Sequence, residues 1–223
     1  EVTTRYPVHR HRRNHLNINV STTYRVTAPA GARIKADSIS GDVTTTGVHG
    51  DLALNTISGN VRVDRAGKIV TAQSISGNVE LVSAAEDAVV ELSSTSGNVA
   101  AKGVRVRRLD LGTISGNVLG TDLRCDAANL HTVSGDVEYR GTLTSGGTYE
   151  FQTHSGDVRL TIGGGTGFEI EASTFSGEVR SGLDLRLESL GRRNRTIRGT
   201  YGDGRARIEA GSFSGTIIIN GGK

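Results

Sequence analysis

The chain is predicted to be all-β, a β-solenoid of about ten coils of 18–21 residues with a hairpin excursion near its C-terminus. Three observations predict it. First, nine of the chain's eleven Ser-Gly dipeptides, those at Gly41, 59, 77, 97, 116, 135, 156, 177 and 215, follow one another in steps of 18, 18, 20, 19, 19, 21, 21 and 38 residues, the last close to two periods. A fixed period near 20 marks a repeat architecture. Second, the residues ahead of each Ser-Gly alternate apolar and polar, as in Leu52-Ala-Leu54-Asn-Thr56, Val90-Glu-Leu92-Ser-Ser94 and Ile170-Glu-Ala172-Ser-Thr174. This is the two-residue period of a half-buried strand. Third, no segment sustains a 3.6-residue apolar period.

Taken in order, residues 1–15 form a basic arm and residues 16–223 a single solenoid, opened by a strand at Leu16-Asn-Ile-Asn-Val20. Each coil then needs two short strands, one before Ser-Gly and one after it, as at Val61/Val63, Val79/Leu81 and Val158/Leu160. Such a coil cannot bury its own apolar face, so it stacks on its neighbours at roughly 4.8 Å per rung, giving a rod on the order of 45–50 Å long. Glycine suits the sharp bend because it takes positive φ without steric cost. The Asn or Asp that follows can bond its own turn or stack as an amide ladder, and the preceding Ser or Thr can satisfy a corner carbonyl or amide. A propeller blade needs about 40 residues, twice this unit. Residues 183–207 depart from the repeat. Leu183–Leu187 and Thr196–Tyr201 read as strands, Gly191–Arg195 and Gly202–Gly204 as turns, together an inserted hairpin or cap.

Charge separates these parts. The net charge is +3, with +3 in residues 1–15, +4 in residues 183–207 and −4 in the remaining solenoid body. Arg10, Arg12 and Arg13 of the arm and Arg192, Arg193 and Arg195 of the excursion are therefore candidate contacts for an anionic surface polymer. A charged, solvated cap is the plainer reading of the same arginines. Aromatics are not interleaved with them, which disfavours nucleic acid. Glu1 is not expected to be a translation start, and no apolar run approaches the ~20 residues of a membrane-spanning helix.

Catalytic and metal-binding patterns are weak, and no catalytic, cofactor or metal residue is assigned. The repeated serines single out no nucleophile. His9, His11 and His15 lack a carboxylate or Cys to complete a metal site, and their neighbouring arginines oppose a cation. Asp42, Asp136 and Asp157 form a column, but Asn60, Asn78, Asn98 and Asn117 take the same place, which reads as a turn requirement. Gly163–Gly167 lacks the Lys-Ser/Thr ending of a phosphate loop. The lone Cys125 is expected to be packing. One column stands out, the residue just before each Ser-Gly: Ile39, Ile57, Ile75, Thr95, Ile114, Val133, His154, Phe175 and Phe213. Either the corner rotates these side chains under the core, or they form an exposed apolar ridge suited to lateral association, with Ile57 and Ile75 at its heart.

The recurring Thr-x-Ser-Gly-Asp/Asn-Val unit resembles the bacterial "putative adhesin" family of β-strand repeats, a domain of unknown function. Val26–Val43 and Gly202–Gly215 carry the resemblance most strongly, and it covers roughly residues 16–220. It implies a solenoid-like domain in an envelope-associated, extracytoplasmic setting, with no catalytic residues to transfer. The expected function is a non-enzymatic scaffold or adhesin-like interaction module of the cell envelope, its partner an envelope protein, an anionic polymer or a second copy. The alternatives are a self-polymerising scaffold like the bactofilins and a solenoid carbohydrate-active enzyme.

Overall fold

Alternation alone dictates the strands. In a computed structural model, which describes residues 23–85, 87–190 and 195–222, the apolar side chains at alternate positions of the coils from Leu52 onward are buried in one continuous core, and Ile34, Ala36 and Val43 of the first coil are partly buried against it. The strands are β1 (Ile34–Ser38), β2 (Val43–Thr46), β3 (Leu52–Thr56), β4 (Val61–Ala66), β5 (Ile69–Ser74), β6 (Val79–Ala84), β7 (Val89–Ser96), β8 (Val99–Lys102) and β9 (Arg105–Ser115). There follow β10 (Val118–Ser134), β11 (Val137–Ser155), β12 (Val158–Gly163), β13 (Phe168–Ser176), β14 (Val179–Ser181), β15 (Arg186–Leu190), β16 (Thr196–Tyr201), β17 (Ala206–Ser214) and β18 (Ile217–Gly221). No helix occurs among the described residues.

The strands stack in parallel as two walls of a β-solenoid. One wall, made of the segments before Ser-Gly, begins β1-β3-β5-β7-β9 and continues into the C-terminal halves of β10 and β11. The other begins β2-β4-β6-β8 and continues through the N-terminal halves of β10 and β11 to β12. Apolar residues fall rung on rung, Leu52 on Val70 and Leu54 on Ala72. The coils number slightly fewer than the ten expected, with nine stacked Ser-Gly corners. Small aliphatics fill most of the core. It widens where Tyr139, Tyr149 and Phe151 pack together, with the Tyr139 and Phe151 ring centres 5.2 Å apart. The Tyr149 hydroxyl donates to the Cys125 carbonyl (2.5 Å) and accepts from the Thr144 N–H (2.8 Å), so its polar end is satisfied. Cys125 is buried beside them, and burial pushes its thiol up to about 12.

Each residue of the Ser-Gly motif makes a bond to the adjacent rung. The Ser or Thr three residues before the glycine turns inward and donates its hydroxyl to the glycine carbonyl of the neighbouring rung, as in Ser74 to Gly59 (2.9 Å) and Thr132 to Gly116 (3.0 Å). The Asn or Asp after the glycine bonds the adjacent rung instead of its own turn, and a side-chain ladder bond is present from the Asn60 amide to Asp42 (3.2 Å). Its Oδ1 accepts the backbone N–H of the equivalent residue one rung on, from Asn60 N–H to Asp42 (2.7 Å) through to Asp157 N–H to Asp136 (2.9 Å). The glycine is required chiefly by close approach. A Cβ at Gly59, Gly77 or Gly97 would strike the carbonyl oxygen of the corner glycine beneath, and only Gly116, Gly135, Gly156 and Gly177 combine this with φ of 150–159°. True left-handed backbone sits at the opposite corner, six residues later. Gly47, Arg65, Ser83, Gly103 and Asp122 all have φ between 52° and 69° there, three of them without glycine's freedom.

The stack departs from chain order at its end. β17 pairs with β11 on one side and β13 on the other, and β18 lies between β12 and β14. The C-terminal coil is thus inserted between two coils that precede it in sequence. Side-chain bonds follow the same spatial order, with Ser212 donating to Gly156 (3.0 Å) and Thr174 to Gly215 (2.9 Å). Insertion is possible because the two coils are near-copies, Ile170-Glu-Ala-Ser-Thr-Phe-Ser-Gly and Ile208-Glu-Ala-Gly-Ser-Phe-Ser-Gly. It also explains the glycine run 163–167, which joins β12 to β13 across the height of two rungs. A side chain at Gly167 would collide with Asp203 and Tyr201, where the chain crosses back from β16 to β17.

β15 and β16 form an antiparallel hairpin, and β16 lies antiparallel on β13 over the last coil. The Thr196–Tyr201 strand coincides with the expected one. The first strand lies at Arg186–Leu190 rather than Leu183–Leu187. An antiparallel strand on the final rung closes the parallel edge against further coils. The expected strand Leu16–Val20 and the arm 1–15 lie outside the described residues.

Candidate interaction surface

In each pre-corner strand the Ser or Thr three residues before glycine faces the core, so strand parity turns the next side chain outward. The corner does not rotate it back. Ile39 is 75% exposed, Ile57 46%, Ile75 50% and Phe175 65%, with Ile114, Val133 and Phe213 similar. Together they make an apolar ridge along the rod. At its far end the rings of His154, Phe213 and Phe175 stack face to face, at 4.7 and 4.8 Å and within 9° of parallel, again in the order of the inserted coil.

Two residues back along each strand lies a second outward file: Asp37, Asn55, Gln73, Ser93, Gly112, His131, Gln152, Gly211 and Ser173. Between this file and the ridge runs a groove of about 690 Å³, extending from Asp37 and Ile39 to His131 and Val133. Asn55 donates to Asp37 (2.8 Å), and this bond, more than the nearby Lys35, holds the Asp37 carboxyl below its usual range. The His131 ring occupies the space a side chain at Gly112 would need. Ridge and groove wall together contain no Lys, Arg or Glu; their titratable residues are Asp37, His131 and His154. In a chain with 22% charged residues this is a charge-poor strip. The next file out is rich in acid, with Glu91, Asp110, Glu150, Glu171 and Glu209.

The other sequence candidates are placed differently. Arg195 is partly buried, and its carbonyl accepts the Thr174 N–H (2.8 Å). Arg10, Arg12, Arg13, Arg192 and Arg193 lie outside the described residues. Elsewhere in the excursion Arg198 pairs with Glu171 (2.7 Å) and Arg205 with Asp203 (3.1 Å). The Asp136 and Asp157 carboxylates share Arg159, at 2.7 Å each, while their other oxygens accept the rung-to-rung N–H bonds. Burial raises the Asp136 carboxyl, but the Asp157 N–H and Arg159 outweigh it and leave it below its usual range. Sequence reasoning singled out the ridge but missed the groove beside it; the run of small polar residues two places before the ridge was the available signal.

The profile of Toastrack DUF4097, a domain of unknown function, matches residues 49–220. The chain belongs to this family. The Toastrack match spans the coils from β3 to β18, including the inserted one and the β15–β16 hairpin. No curated protein matches the chain. A solved structure, that of a "putative cell adhesion protein" from Clostridium sporogenes, aligns with 86% of this chain and 94% of its own at 10% identity and a TM-score of 0.36. Among the described residues no helix is long and apolar enough to cross a membrane, and no group of three His, Cys, Asp or Glu is placed to hold a metal.

Proposed function

We propose that this Toastrack chain is a non-enzymatic, adhesin-like interaction module that works outside the cytoplasm, in the bacterial cell envelope, and makes contact through its lateral strip. The exposed Ile39–Phe175 ridge carries this reading. A monomer seldom leaves so continuous an apolar line in water unless something covers it. Depletion of charge on the strip with an acidic border matches the core and rim of a protein contact. Continued end-to-end polymerisation of coils is disfavoured by the antiparallel hairpin over the last coil. Hydrolysis by Asp136 and Asp157 is disfavoured because each carboxylate is tied to Arg159 and to a backbone N–H.

The purified chain is expected to co-sediment with envelopes isolated from its producing cell. The double variant Ile57→Asp/Ile75→Asp should lose that binding while melting at the wild-type temperature. Equal binding by both proteins would refute the assignment of the strip, and release of sugar from a polysaccharide panel would refute the non-enzymatic reading.

A further inference from the structure

We propose that the occupant of the strip is a second copy of this chain, lying beside the first with both rods pointing the same way. The inference rests on the strip being a contact surface and names what it contacts.

Periodicity is the first argument. The ridge presents one side chain per rung at roughly 4.8 Å, and the groove beside it has the same repeat. A partner that interlocks over the whole length must share this spacing, and a second copy does so by construction. The second argument is symmetry. Ridge and groove run side by side over the six rungs from Ile39 to Val133, so a two-fold axis parallel to the rods places each ridge in the other's groove there, rung against like rung. An axis across the rods would set ridge on ridge and leave both grooves empty. Charge is the third. Neither file carries a Lys, Arg or Glu, and the one carboxylate, Asp37, sits at the first rung, so two identical strips meet with like-charge repulsion confined to one end, and the acidic file falls at the rim, where water screens it. Size also fits. The six grooved rungs are about 25 Å long, and a contact about 20 Å wide covers roughly 500 Å² on each copy, at the low end of specific interfaces and in keeping with a micromolar dimer.

The test uses the full chain. Sedimentation velocity should show a monomer–dimer equilibrium in the micromolar range. Ile57→Asp/Ile75→Asp should weaken it at least tenfold, whereas Arg62→Ala/Lys102→Ala, on the other wall where both side chains pair with Glu80, should leave it unchanged. Because Cys125 is buried, a cysteine placed on the ridge is the accessible thiol. Ile57→Cys should oxidise to a disulfide-linked dimer, while a mixture with Ile114→Cys should give each like pair and little of the mixed one. This arm holds even if the aspartate variant fails to fold. A chain that stays monomeric at hundreds of micromolar, a dimer indifferent to the ridge substitutions, or a dominant Ile57–Ile114 link would each overturn the proposal. So would a monomer whose strip is covered by a soluble polysaccharide. A monomer that still needs the strip to bind envelopes would remove this inference and leave the proposed function standing. A dimer that ignores envelopes would do the reverse.

Discussion

Gly97→Ala is expected to lower the melting temperature by about 10 °C, while Gly41→Ala shifts it by no more than about 2 °C. The two residues occupy the same place in the motif and differ only in what lies beneath. At Gly97 the new Cβ would overlap the carbonyl oxygen and carbon of Gly77, backbone atoms that cannot yield without separating two rungs. Separation strains the Ser94–Gly77 and Asn98–Asn78 bonds and the parallel ladder together. Overpacking of this kind costs about 3 kcal/mol or more, and in a chain of this length each kcal/mol moves the midpoint by about 2–4 °C. At Gly41, among the described residues, the nearest atom is the Ser38 Oγ at 3.3 Å. Circular dichroism melts of the two variants beside wild type check the pair. Equal shifts would mean that glycine serves the bend and not the stack.

Deleting residues 206–223 should be far more damaging than removal of a terminal coil from an ordinary repeat protein. In a solenoid stacked in chain order the last coil contacts one neighbour, and its loss frays one end. Here the C-terminal coil fills the slot between β11–β12 and β13–β14, so its removal exposes an apolar face on each side. Ile208, Ile217 and Ile219 are all nearly inaccessible, and at about 1.5–3 kcal/mol each their burial is worth on the order of 5 kcal/mol. Hydrogen exchange should show residues 168–201 losing protection as one unit, while β3 to β9 exchange as slowly as in the whole chain. Retained protection across β13 and β14 would show that they stack on β11 and β12 without the inserted coil.

Much of this was legible in the residues. The Ser-Gly period and alternation gave the solenoid, because identical coils must repeat identical steric demands. The Ile57 column was visible too, but its exposure was not. Strand parity pointed outward while apolarity pointed inward, and only the inward Ser and Thr bonds of the finished corner decide for parity. The reason for glycine was half visible, since a single coil shows the bend while the collision belongs to the next coil. The insertion of β17 and β18 was hidden in plain sight. A 38-residue step and two near-identical coils are equally compatible with stacking in chain order, and long-range pairing order leaves no local mark. The left-handed residues Arg65, Ser83 and Asp122 gave no signal either, because neighbouring rungs impose that conformation on side chains that would not choose it.

Disulfide trapping along the ridge tests the central claim, that Ser-Gly coils form one parallel file with the C-terminal coil inside it. Cysteines on adjacent rungs stand about 4.8 Å apart, within the Cα range a disulfide spans, whereas those two rungs apart are near 9.6 Å and out of reach. The pairs His154→Cys/Phe213→Cys and Phe213→Cys/Phe175→Cys should therefore close within one chain, and His154→Cys/Phe175→Cys should not. Closure of the His154–Phe175 pair together with failure of His154–Phe213 would place the coils in chain order and contradict the account.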